Sequence, residues 1–195
     1  MKHALVAVIG VALCLTPLTA RADAPPRLPD KVAEVKTFVL SLTEPVNGMA
    51  IPTPDQKAAI AAKMNAPFWY DGLTFSGMDD QGEKLAKACK KTWKKTGTIR
   101  AAGKLPDFVG CLAVAQFSGA LDGDAEWSLV DLKKLPRPFK KHKAKLTKLA
   151  KDHVLVISHF IPAGPAEYYD LWVVKRAADG TLHLAGLLAV NLDTL

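Results

Sequence analysis

The last forty residues leave the fewest choices. Val154 to Ile161 is a run of strand-forming residues, and Pro162-Ala163-Gly164-Pro165 turns it. Glu167 to Arg176 is a second strand, apolar on both faces. Ala178-Asp179-Gly180 turns that one back into Thr181 to Asn191. Consecutive strands joined by links this short pair antiparallel, so the chain should close in a three-strand meander.

Ahead of the meander the pattern is mostly helical. Asp30 can cap a helix in which Val32, Val35, Val39 and Leu42 form one stripe, and Pro45 should end it. Asn47-Gly48 and Pro52 mark a loop. Thr53-Pro54-Asp55-Gln56 supplies a hydroxyl cap, a proline at the first helical position and a glutamine three residues past the cap, which is a capping box. That helix should run to about Met64, limited by Pro67. Phe68 to Phe75, with Asp71-Gly72 inside it, suggests a short strand or hairpin. A third helix should start at Asp79 or Asp80 and end near Gly97. Leu85, Ala88, Cys89, Thr92 and Trp93 fall on one side of it, and Lys84, Lys87, Lys90, Lys91, Lys94 and Lys95 on the other.

Residues 98–117 suggest strand, turn, strand: Thr98 to Arg100, a break at Gly103 to Pro106, then Phe108 to Phe117. Cys111 to Ala115 is equally compatible with helix. Leu121 to Asp124 is a turn, and Glu126 to Leu132 a further strand. Helices first and antiparallel strands last make an α+β domain.

The chain also carries an export signal. Lys2 and His3 precede an apolar run of 12 residues, Ala4 to Leu15, too short to span a bilayer as a helix. Pro17 breaks it, and Ala20, Ala22 and Ala24 offer cleavage sites. Residues 1–22 are therefore a signal peptide, 23–29 a Pro-rich leader, and 30–195 a single domain. A lipid anchor on Cys14 is disfavoured by Leu13 before it and by the apolar residues after it. Cleavage takes the formal charge from +7 to +5. No second apolar stretch is long enough to span a membrane, so the mature chain should be soluble, in the periplasm or outside the cell. In such an oxidising compartment Cys89 and Cys111 should bond, tying the third helix to the sheet.

The element order resembles the NTF2-like (cystatin-related) α+β superfamily, a curved sheet wrapped around a long helix. Pro67-Phe68-Trp69-Tyr70-Asp71-Gly72-Leu73-Thr74-Phe75-Ser76-Gly77, between the second and third helices, is similar to the short segment found there in such folds. The resemblance implies N-terminal helices packed on a curved antiparallel sheet, often with a cone-shaped pocket between them. Its members include isomerases, dehydratases, hydrolases and binding domains, so it implies no particular activity.

Motifs for chemistry are sparse. His142, His153, His159 and His183 show no metal-ligand spacing, and no cofactor motif or G-x-S-x-G is present. Asp71 among Phe68, Trp69 and Tyr70 is a candidate base if aromatic walls raise its proton affinity, with His159 assisting. The plainer roles are a turn residue before Gly72 and a packed sheet histidine. Trp69, Tyr70, Tyr168 and Trp172 are candidates to line an apolar pocket, or simply to fill the core.

Residues 133–151 hold nine cations in nineteen positions and no acid. Phe139, Leu146, Leu149 and Ala150 should share a helix face, leaving Lys140, Lys141, Lys145 and Lys148 outward. Such a face suits an anionic polymer, an anionic lipid surface or an acidic protein, or is simply solvated. No base-reading motif points to nucleic acid. Two functions follow: an exported non-enzymatic binding domain for a small apolar ligand or an anionic surface, or a small NTF2-like enzyme performing acid–base chemistry in an aromatic-lined pocket.

Overall fold

The computed structural model describes residues 28–47, 51–75, 79–93, 105–112, 115–116, 124–161 and 166–193. The expected signal peptide, most of the expected leader, Gly48, Lys94, Lys95, Thr98 to Arg100, Leu121 to Gly123 and Pro162 to Pro165 lie outside the described residues.

Helix α1 (Leu28–Asn47) starts ahead of Asp30 and continues past Pro45. A proline in the last turn forfeits only one backbone bond, and the stripe Val35, Val39 and Leu42 is buried against the sheet. In α2 (Pro54–Ala62) the capping box forms as expected: the Gln56 amide donates to Thr53 Oγ1 at 3.3 Å, and the Thr53 amide to Gln56 Oε1 at 2.9 Å.

The chain then becomes extended sooner than Pro67 suggested. Strand β1 (Met64–Asp71) includes that proline after a cis Ala66–Pro67 peptide. Its ladder skips from Met64 to Trp69, so Pro67 falls where no amide is needed. Strand β2 (Thr74–Phe75) does not fold back on β1; it pairs with β3 (Ala115–Gln116) in a separate two-strand sheet. Gly72 divides them at φ +76°, and a Cβ there would sit 1.8 Å from the Ala189 carbonyl oxygen.

Asp79 caps α3 (Asp80–Trp93), its carboxylate accepting from the Gly82 amide at 2.6 Å. Lys84, Lys87, Lys90 and Lys91 are exposed as expected. Cys89 is buried and Leu85 packs against the core, as expected; Ala86 joins them and Ala88 is exposed instead. The first half of the strand expected over Phe108 to Phe117 is helix instead: α4 (Leu105–Leu112) buries Leu105, Phe108, Val109 and Leu112 at helical spacing. The Cys89–Cys111 disulfide forms, with Cα atoms 5.7 Å apart. It joins α3 to α4, helix to helix, rather than helix to sheet.

The main sheet has the order β1-β7-β6-β5-β4. Strands β4 (Glu126–Leu129), β5 (His153–Phe160), β6 (Ala166–Arg176) and β7 (Leu182–Asp193) are consecutive antiparallel neighbours, so the C-terminal meander is present. The sheet is mixed, however, because β1 lies parallel to the far side of β7. More than a hundred residues separate the two strands, so no short link forces them antiparallel. Gly186 lets them close up: a Cβ there would come within 2.7 Å of the Trp69 carbonyl oxygen.

Both faces of this sheet are covered. Helices α1 to α4 pack on one, around Phe68, Tyr70, Trp172, Val174 and Leu187. Trp127 stacks on Trp172 there with ring centres 6.2 Å apart, and the Trp172 indole donates to Ser158 Oγ at 2.9 Å. The lysine-rich segment covers the other face, as a 3-10 turn over Arg137–His142 followed by α5 (Lys143–Leu149). Phe139 and Leu146 are wholly buried against Leu155, Ile157, Leu171 and Val173. Leu149 is half-buried. Ala150 is exposed, contrary to expectation, because α5 ends at Leu149.

The disulfide closes a loop of 22 residues, and chain entropy sets its contribution at about 3 kcal/mol. Replacing both Cys89 and Cys111 with alanine should lower the melting temperature by about 6–12 °C in a domain of this size. An unchanged melting temperature in calorimetry would contradict this placement of the bond.

Candidate functional site

Strand β1 alternates its side chains across the sheet, so Trp69 and Asp71 share the face under the lysine-rich segment while Tyr70 points to the other. Asp71 is the last residue of β1, just before the Gly72 turn. Its Oδ1 accepts the Gly72 amide at 2.9 Å, as a turn aspartate does. Its Oδ2 faces the lysine-rich segment. Lys141 Nζ lies 3.0 Å from that oxygen, and His142 Nε2 lies 2.8 Å from it. The histidine contact lacks the alignment of a good hydrogen bond and is electrostatic in character. The His142 ring meets Trp69 edge to face, centres 5.2 Å apart, and Lys145 Nζ sits 4.1 Å above the Trp69 ring.

These five residues tune one another. Burial alone would raise the Asp71 carboxyl, but Lys141 and then His142 outweigh it and hold it below its ordinary value of 3.8. This reverses the expectation of raised proton affinity: Asp71 is a stable anion and a weakened base. Burial depresses His142 below 6.5; Asp71 partly offsets that, and Lys141 and Lys145 add to it. Burial also lowers the Lys145 ammonium.

His159, the other candidate for acid–base work, is not part of this cluster. It stacks on Tyr169 at 4.2 Å on the β5–β6 pair, with Glu167 Oε2 3.8 Å from its Nε2. The Tyr169 hydroxyl donates to Glu167 Oε2 at 2.8 Å; burial first, then Glu167, pushes the phenol up to about 12.

The four aromatics expected to line a pocket do not converge. Tyr70 and Trp172 fill the core beneath the helices, Trp69 is buried on the opposite face, and Tyr168 stacks on Phe160. The space beside Trp172, bounded by Leu42, Phe68 and Leu187, amounts to about 10 Å³, the room of one water. Lys140, Lys141, Lys145 and Lys148 are all exposed on the one segment. Among the described residues, no three His, Cys, Asp or Glu side chains gather to hold a metal, and no helix is long and apolar enough to cross a membrane.

His142 makes the shortest contact in the cluster, and its role was not anticipated. Its signal was present, since Phe139, His142, Leu146 and Leu149 recur at spacings of 3, 4 and 3, the stripe of a buried helix face. A histidine on that stripe, with lysines on either side, must point inward. Comparison of the chain with protein-family models, with curated proteins and with solved structures finds no match.

The depressed Asp71 pKa has a sign. Its stabilisation is full above the unfolded value of about 3.9 and is lost as pH falls through the lower folded value. Asp71→Asn, which keeps the acceptor for Gly72, should therefore destabilise the protein at pH 7 by no more than about 1 kcal/mol, since the pair is partly solvated. In urea unfolding the difference from wild type should shrink by pH 3. A difference of equal size at both pH values would show that Asp71 acts through packing alone.

Proposed function

We propose that this chain is an exported, non-enzymatic binding domain that engages an anionic polymer through the lysines of residues 140–148. One observation carries the proposal. Phe139 and Leu146 are wholly buried in the body of the domain while Lys140, Lys141, Lys145 and Lys148 are exposed beside them. Cations on a rigid, anchored segment lose less freedom on binding than cations on a tail. The basic start, apolar run and small-residue cleavage sites support export, and so does the disulfide. The space beside Trp172, with room for only one water, disfavours a small apolar ligand. An NTF2-like ancestry is proposed on α1 packed over one face of an open sheet and on the C-terminal meander.

Dextran sulfate is a suitable probe, because its ester sulfates stay ionised across the working range. The mature domain should bind it at low salt and release it as the Debye length shortens towards ~8 Å. Lys140→Gln with Lys148→Gln should weaken binding about 20-fold or more, at roughly 1 kcal/mol per lysine. Replacing Lys84, Lys87, Lys90 and Lys91 on α3 should weaken it far less. Equal losses from the two sets would reduce the attraction to net charge, and no binding at low salt would end the proposal.

A further inference from the structure

The cations of this face are not equivalent. Among the described residues Lys140 and Lys148 make no ion pair. Lys141 does, although its side chain is 66% exposed: its ammonium is held at Asp71 Oδ2. His142, only 19% exposed, approaches the same oxygen. The other carboxylate oxygen is occupied by the Gly72 amide. One oxygen therefore serves two groups, a lysine and a histidine that gains its charge only in acid. The groups facing the imidazole are Asp71 and Trp69 from β1, Lys141 from the 3-10 turn and Lys145 from α5.

We infer that Asp71 is a proton-controlled clasp, holding Lys141 back from an anionic ligand while His142 is neutral and releasing it when the imidazole takes up a proton. Protonation sets two adjacent cations against one oxygen, and their repulsion weakens the hold on Lys141. The imidazolium is packed edge-on against Trp69 and only 19% exposed, so it is the more firmly held of the two. Lys141 has a long flexible stem in solvent and can leave. The exchange leaves Asp71 neutralised by His142 and adds one free ammonium to the binding face. Burial and the neighbouring lysines keep His142 neutral at pH 7, and Lys141 and His142 keep Asp71 ionised. The clasp thus opens on the acid side of the ordinary imidazole range, with Asp71 still ionised.

The consequence for binding rests on the anion-binding proposal, but the clasp can be read without a ligand. In NMR titrations of the mature domain from pH 7.5 to 4.5, the Lys141 side-chain resonances should move with the midpoint of the His142 imidazole. They should stay still over that range in His142→Gln. Lys141 resonances that ignore the His142 titration in wild type would overturn the clasp. With dextran sulfate at low salt, wild type should gain about fivefold more affinity between pH 7.5 and pH 5 than His142→Gln does, the share of one cation. Asp71→Asn, which frees Lys141 at every pH, should already bind dextran sulfate about fivefold more tightly than wild type at pH 7.5. Equal gains in wild type and His142→Gln would also overturn the clasp. If Lys141 follows His142 but wild type binds no dextran sulfate at either pH, the clasp stands and the anion-binding proposal falls.

Discussion

Strand β6 is the element on which the rest depends. Leu171, Trp172, Val173 and Val174 alternate across it, and all four are wholly buried. Each fully buried apolar side chain is worth about 1.5–3 kcal/mol, but only if both faces of the sheet are sealed from water. Four helices seal the face of Trp172 and Val174. A short lysine-rich segment seals the face of Leu171 and Val173 by inserting Phe139 and Leu146. The basic surface is therefore the outer side of a structural layer. Its lysines are displayed because its apolar residues are indispensable to the core.

That layering explains which parts of the fold were legible in the sequence. The meander was, since its turns and its doubly apolar strand are local signals. So was the Thr53 capping box, which depends on residues three apart. Pairing of β1 with β7 was not: it is parallel and long-range, and nothing near Trp69 announces its partner. Helix α4 was read mainly as strand because Phe108, Val109, Cys111 and Leu112 are apolar in a short run, where helical and extended periodicity look alike. The disulfide partners were still right, because inward placement of Cys89 did not depend on the state of Cys111. On α3, Ala86 and Ala88 offer the same side chain to the pattern, and only packing decides between them.

The candidate site divides in the same way. Exposure of Lys140, Lys141, Lys145 and Lys148 was readable from the apolar stripe through Phe139, Leu146 and Leu149 that anchors the segment. The environment of Asp71 was not, because it depends on a segment about seventy residues away that folds back over β1. Aromatic neighbours in sequence suggested a raised pKa. The cations that arrive in space lower it. Trp69 and Tyr70 are adjacent in the chain yet sit on opposite faces of a sheet, so they cannot line one cavity.

The central claim is that the lysine-bearing segment belongs to the core. Urea unfolding of Phe139→Ala, followed at once by tryptophan fluorescence and by hydrogen exchange of the β6 amides, tests it most directly. The account predicts a loss of about 3–5 kcal/mol in one cooperative transition, with β6 protection falling in step. A loss below about 1 kcal/mol, with β6 protection intact, would show that the segment is an appendage and that the second face needs no cover.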